Sequence, residues 1–404
     1  MIPGGRRSLL GLHRNVVVLG LTSSVATFAN TLWIFFFPLV LRQEGLNAFE
    51  IGAVYGLSTL LGAAVRVPVG AFVDRFGRKT AVVIGTIIPA FSVMMLAFSP
   101  DSVVSASTFV FSTAVGGAFF GIGMWAMISE SSKERPATSF GAFTTMAGWA
   151  SVFAPVLGGM LLMKQMSEVF LFSSFLYAVA AAGRATFLEE TLHKHKDTGD
   201  SIAKGQLSQS GSFRQSLRDI LSNRTLILLT ITCAIYNLFL DQISFVVPLY
   251  STEVLKLSAI QVGLLFSIFL LVDSQSQVLF GRIADQFGYT RIIIVSWLGE
   301  MIFMLTFAYS ADPLPSMVLF SLWVVFGAMD GPAIQALIGL TTKMESRGTS
   351  IGFFGTLASF LSVPSQFAAG LLFALSPRLP FFANLFFDAF AFLLFLLFIE
   401  RVRT

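Results

Sequence analysis

Long apolar runs separated by short polar turns dominate the chain. Twelve runs lie near residues 15–41, 46–72, 80–99, 102–129, 136–162, 166–188, 224–250, 257–281, 290–310, 314–342, 347–374 and 379–400. A hydrocarbon layer about 30 Å thick takes roughly 20 helical residues to cross. The pattern therefore predicts twelve membrane-spanning helices. One stretch departs from it: residues 189–223 are rich in Ser, Gln, Lys and Gly, with no strong apolar period except around Ile220. This reads as a polar linker. It divides the chain into an N-terminal six-helix half (1–188), a linker (189–223) and a C-terminal six-helix half (224–404).

The halves repeat each other. Gly70-Ala-Phe-Val-Asp74-Arg75-Phe-Gly77-Arg78-Lys79 joins the second and third runs, and Gly281-Arg-Ile-Ala-Asp285-Gln-Phe-Gly288-Tyr-Thr-Arg291 joins the eighth and ninth, 211 positions later. At the same offset, Pro38-Leu39 matches Pro248-Leu249 within one residue, Ile51-Gly52 matches Val262-Gly263, and Gly159 matches Gly370. A duplicated membrane half is the architecture of secondary transporters.

Composition narrows the class. With 55% apolar and 12% charged residues, the chain excludes a soluble globule. Its one cysteine, Cys233, lies in the seventh run and leaves no disulfide or metal framework. His193 and His195 fall in a solvated charge run, so no metal site is expected. The basic balance follows the membrane rather than a nucleic acid. With a cytoplasmic N-terminus, 21 of the 26 Lys and Arg residues are cytoplasmic, Arg42, Lys164, Lys256 and Arg378 are external, and Arg66 is intramembrane. That bias expects both termini in the cytoplasm. The count places Arg184, near the end of the sixth run, with the cytoplasmic set. Arg6, Arg7 and Arg14 precede an apolar run too long for a signal-peptide core, so it is expected to be an uncleaved first helix. No Walker loop, metal cluster or nucleophile–base arrangement is present, so neither an enzyme nor a cofactor is expected.

The first turn resembles the signature of the major facilitator superfamily, Gly-x-x-x-Asp-Arg/Lys-x-Gly-Arg/Lys-Arg/Lys. Gly70, Asp74, Arg75, Gly77, Arg78 and Lys79 fill every place. Gly70 would allow close helix approach, Gly77 a tight turn, and Asp74 would face a helix N-terminus. The resemblance implies that this helix is the eleventh, near Arg347-Gly348, and that Arg78 pairs with Glu130 to lock the cytoplasmic side. A purely topogenic basic loop remains the alternative. In the second copy Gln286 and Tyr289 replace basic residues, leaving Asp285 as the gating candidate.

The fifth run is similar to a glycine motif of the superfamily's drug/proton antiporter branch, read here as Gly141, Ala150, Ala154, Pro155, Gly158, Gly159. Generic small-residue packing is the competing account. Ser112 stands four residues before Gly116, where many such exporters have arginine.

Intramembrane ionisable groups cost about 2.5–3.5 kcal/mol each on insertion scales and so face a cavity or a partner. Six are expected: Arg66, Asp241, Asp273, Glu300, Asp330 and Asp388, with all five acids in the C-terminal half. By resemblance, Asp241 and Asp330 lie on cavity-lining helices. They would carry protons or recognise a cationic substrate; a protonated acid bonded to backbone is the bland alternative. Arg66 and Asp273, each eight residues before its loop motif, are expected at similar depth and as a possible ion pair. Glu300 and Asp388 fall on helices peripheral in the family, where a structural or lipid-edge role is expected. Thr27, Asn30, Trp33, Met124, Trp125 and Asn237 are the expected cavity residues.

The expected function is alternating-access secondary transport of a small molecule in the lipid bilayer, as a monomer in the cell membrane. Proton-coupled efflux of an amphipathic or cationic solute leads. Proton-linked uptake of a sugar or organic acid is the first rival, and a non-transporting sensor or receptor comes from another class.

Overall fold

The computed structural model describes residues 12–98, 101–132, 136–162, 165–192, 224–341 and 347–402. Nearly all of the linker expectation (193–223) lies outside the described residues. Among those described, every regular element is helical. The N-terminal helices are α1 (Arg14–Thr31), α2 (Phe37–Gln43), α3 (Ala48–Phe76), α4 (Arg78–Ala97), α5 (Ser102–Phe111), α6 (Gly117–Ser131), α7 (Pro136–Ser151), α8 (Ala154–Leu162) and α9 (Met166–Phe187). Those that follow are α10 (Arg224–Tyr236), α11 (Ile243–Glu253), α12 (Ala259–Phe287), α13 (Tyr289–Tyr309), α14 (Pro313–Gly327), α15 (Asp330–Thr341), α16 (Arg347–Leu375) and α17 (Leu379–Val402). Ten stretches among the described residues are long and apolar enough to cross a membrane. The α1–α2 pair and α16 occupy the places of the first and eleventh expected spans.

Several runs that read as single helices are broken. The first stops at Thr31 and restarts at Phe37 with a proline in the opening turn of α2, where a missing N–H costs nothing. The fourth carries a π-helical turn over Ser112–Gly116. The fifth parts between Ser151 and Ala154, just before Pro155. The seventh passes through a 3₁₀ segment, Asn237–Gln242, and the tenth breaks at Ala328–Met329. Apolar length alone carries no trace of these breaks.

The repeated loop motif forms a turn that only glycine tolerates well. Gly77 and Gly288 have φ of 106° and 91°, a left-handed region that costs side-chain-bearing residues about 1–2 kcal/mol. A Cβ on Gly77 would also overlap the Glu190 carboxylate. At Gly70, expected to permit close approach, a Cβ would meet nothing within 4 Å. Close packing there is not found.

Two compact units are present. The first comprises Met1–Leu192, Ile243–Ser274 and Gly370–Pro377. Within it the 211-residue repeat becomes a pattern of contacts. Arg42 Nε donates to Glu253 Oε1 at 2.8 Å, and these two residues are counterparts under the repeat. Gly159 packs on the backbone of Ala259, while Gly370, its counterpart, packs on the backbone of Ala48, the counterpart of Ala259. Gly158 presses against the Leu32 carbonyl and Gly263 against that of Pro155. Absent side chains allow these backbones to touch.

The second unit comprises His193–Gln242, Gln275–Ala369 and Arg378–Thr404. Its core gathers Cys233, Tyr236, Trp297, Ala333, Leu337 and Phe395 from α10, α13, α15 and α17.

Candidate functional site

Three local arrangements carry chemistry. The first is the loop between α3 and α4. Arg78 Nε donates to Glu130 Oε1 at 2.9 Å, and its Nη2 lies 3.4 Å from Asp74 Oδ1. Asp74 itself is 78% exposed. Arg75 reaches over the Phe76 ring. Glu190, which the sequence reading did not single out, accepts from the backbone N–H of Arg78 at 2.9 Å and of Lys79 at 3.1 Å. A carboxylate on those free N–H groups complements the positive end of α4. In the second copy, Tyr289 Oη donates to Asp285 Oδ1 at 2.8 Å. Tyr289 is the counterpart of Arg78, so the substitution keeps the internal bond and discards the charge. The side chains at the start of α16, the expected partner of Asp74, lie outside the described residues.

The second arrangement is a cavity of about 580 Å³ lined by Gly62, Arg66, Thr113, Gly117, Gly121 and Trp125, among others. Small residues on α3 and α6 open the space, and the π turn brings Thr113 to it. Trp125 is 59% exposed and packs its other side on Phe140. No ion pair joins Arg66 to Asp273 among the described residues; Arg66 faces this cavity instead.

Of the other expected cavity residues, two are packed in the core and three are half-buried. Trp33 is 1% exposed amid Phe37, Phe109 and Phe170, and Met124 belongs to a core with Val16, Leu19 and Val82. Asn30 accepts from Tyr177 Oη at 3.0 Å, Thr27 is half-buried on the same helix, and Asn237 donates to the Cys233 carbonyl. In the fifth run Pro155, Gly158 and Gly159 are buried, whereas Gly141 has open space beside it.

Arg184 corrects the charge map. It is 1% exposed inside the first unit, not in cytoplasmic solvent. Its guanidinium donates to the hydroxyls of Thr22, Ser23 and Thr86 and sits 4.5 Å from the Phe120 ring centroid. Hydroxyl oxygens and an aromatic face hold this cation without a carboxylate.

The third arrangement lies in the second unit. Glu300, Asp330 and Asp388 are 3%, 7% and 1% exposed. Tyr236 Oη and Trp323 Nε1 donate to the two oxygens of Glu300, Trp297 Nε1 to Asp330 Oδ2 at 2.8 Å, and Asn384 Nδ2 to Asp388 Oδ2 at 3.0 Å. Asp330 lies within electrostatic reach of Glu300, and both within reach of Asp388. Among the described residues no Lys, Arg or His pairs with any of the three. Glu300 and Asp388 are therefore not lipid-edge residues, because α13 and α17 turn them inward. The Asp241 side chain, expected to pair with Asp330, lies outside the described residues.

A family model, the Major Facilitator Superfamily, matches residues 19–272 and 243–404. The chain belongs to the major facilitator superfamily. Its members are transporters, not enzymes, so this is a multi-pass membrane protein of the secondary-transport class. Among similar proteins, an uncharacterized MFS-type transporter of Methanocaldococcus jannaschii is 23% identical, with 92% of this chain and 91% of that protein covered. A multi-drug resistance efflux pump PmrA homolog of Lactococcus lactis is 26% identical, with 77% and 76% covered. A solved bacterial homolog of the human lysosomal transporter Spinster superposes with a TM-score of 0.76 at 12% identity, covering 95% of each chain. At that identity the likeness speaks for the shared fold alone.

Proposed function

We propose that this superfamily member exports a small amphipathic molecule in exchange for protons, by rocking between two access states around a mid-membrane site. The observation that carries the coupling is the trio of buried carboxyl groups with no Lys, Arg or His partner among the described residues. Such groups neutralise by binding protons, since isolated buried charges are prohibitively costly. Export is supported by the sequence likeness to an efflux pump homolog. With both termini cytoplasmic, the end joined by Arg42–Glu253 and the paired glycines is the outer end, and the Asp74–Arg78–Glu130 turn guards the inner one.

A second reading has its own support. Arg66 and Trp125 share one cavity, a combination that suits an organic acid with an apolar or aromatic body. Proton-linked uptake of such a compound uses the same fold.

Reconstitution in proteoliposomes with an imposed pH gradient tests both. Cationic dyes and aromatic carboxylates are offered from each side, and gradient-driven exchange of a cationic or neutral amphipath for protons is expected. Movement indifferent to the gradient refutes coupling. Selective uptake of carboxylates, lost in Arg66→Gln, replaces export with the second reading.

A further inference from the structure

We propose that Glu300, Asp330 and Asp388 form a proton-binding site enclosed within the second unit and holding more than one proton. This deepens the proton-coupled reading and rests on it only for what the protons do in transport.

The donors around the cluster are all neutral: the side chains Tyr236 Oη, Trp297 Nε1, Trp323 Nε1 and Asn384 Nδ2, and the backbone N–H groups of Asp330 and Gly331. Neutral donors alone do not offset three neighbouring buried negative charges, because each unpaired ion costs several kcal/mol of desolvation. Among the described residues the other titratable groups facing the site are the Tyr236 phenol and the Cys233 thiol, which bring no positive charge. From α13 come Trp297 and Glu300, from α14 Trp323, from α15 Asp330, and from α17 Asn384 and Asp388. With no cation beside them among the described residues, protons are the source of neutrality that we assign.

A second observation points the same way. Asn384 is 3% exposed, and its Oδ1 has no hydrogen-bond partner although its Nδ2 rests on Asp388. A buried acceptor left empty costs about 1–3 kcal/mol; a hydroxyl on a protonated carboxyl is the donor type it lacks. A metal cation fits the site less well. Four carboxylate oxygens, both from Glu300 and one each from Asp330 and Asp388, already face N–H or O–H donors whose positive ends would oppose it.

Placement gives those protons leverage. Asp330 is the first residue of α15, directly after the break at Ala328–Met329. Tyr236 is the last residue of α10, where the 3₁₀ segment begins. The Glu300 carboxyl lies against Gly327, where a Cβ would sit 3.2 Å from Cδ. One cluster thus touches the breaks of two discontinuous helices. Loss of a proton adds charge at both breaks and favours a rearrangement that admits water.

Two tryptophans donate directly to the acids, so purified protein in detergent, without substrate, reports on the site. Intrinsic fluorescence is titrated with pH, and infrared difference spectra record the protonated-carboxyl band. Wild type is expected to show a pH-dependent fluorescence transition and a carboxyl band at neutral pH. Glu300→Gln, Asp330→Asn and Asp388→Asn should each diminish the band and shift or abolish the transition, while Glu168→Gln, at an exposed carboxyl of the first unit, leaves both unchanged. Infrared spectra of wild type alone serve if a variant fails to fold: no protonated-carboxyl band at neutral pH overturns the proposal. So do titrations unaltered by the three substitutions, or a fluorescence response to sodium at fixed pH. A titration lost in the variants beside gradient-insensitive transport would keep the site and sink the coupled reading. Gradient-driven transport with a pH-flat signal would do the reverse.

Discussion

Arg184 shows how much a single residue decides. Thr22, Ser23 and Thr86 each give it one hydroxyl oxygen, and Phe120 covers its face. Replacing Thr86 by valine keeps the shape and removes one acceptor, leaving a buried charged N–H unpaired. The expected cost is about 1–3 kcal/mol, read as a lower melting temperature in detergent, with Thr86→Ser close to wild type. The sequence misses this site for a physical reason. An arginine four residues from the end of an apolar run ordinarily extends to the interface, and nothing local distinguishes one that turns inward. Glu44, outside the membrane after α2, gives a pH test. Burial holds its carboxyl above the usual range, against a hydrogen bond from Ser105 and with the aid of Asp101. Because its folded value is raised, ionisation opposes folding. Its stabilising share is present at low pH and falls as pH rises through the folded value. Melting temperatures across the weakly acidic range should decline more steeply in wild type than in Glu44→Gln.

At the scale of the helix, the spans were legible and their faces were not. Twelve apolar lengths follow from hydropathy, because lipid demands them. The face that each helix turns inward leaves little trace, because lipid-exposed and buried positions are both apolar. Glu300 and Asp388 therefore read as structural or lipid-edge residues and proved to be core, while Trp33 read as cavity and proved to be packing. Glycine spacing survives this ambiguity, since absence of a side chain matters only at contacts. Gly159 and Gly370 sit on the backbones of Ala259 and Ala48. Substituting either by valine should force α8 from α12, or α16 from α3, and cost about 1–3 kcal/mol by overpacking. Gly141→Ala, in open space, should be near neutral. Thermal melts of the three variants check the contrast.

At the scale of the molecule, duplication has given a pairing of unlike charges from equivalent positions. Arg42 and Glu253 are counterparts under the 211-residue repeat, and they meet because the repeat's symmetry brings equivalent points together. The pair is 41% and 30% exposed, so about 0.2–1 kcal/mol is its expected worth. That is a shift of only about 1.4- to 5-fold in a two-state equilibrium. Weakness suits a contact that would part once per cycle in the rocking motion we propose. The glycine-packed backbones beneath it supply shape rather than charge. Arg42→Glu should accordingly favour the state in which this end is open by at most a few-fold. Glu253→Arg should act in the same direction, and the exchanged double variant should return towards wild type. Alkylation rates of a single cysteine placed below the pair, in a Cys233→Ser background, measure that equilibrium. Single variants that match wild type would remove the pair from gating. A double variant no better than either single would mean that each charge acts separately, with no latch formed between them.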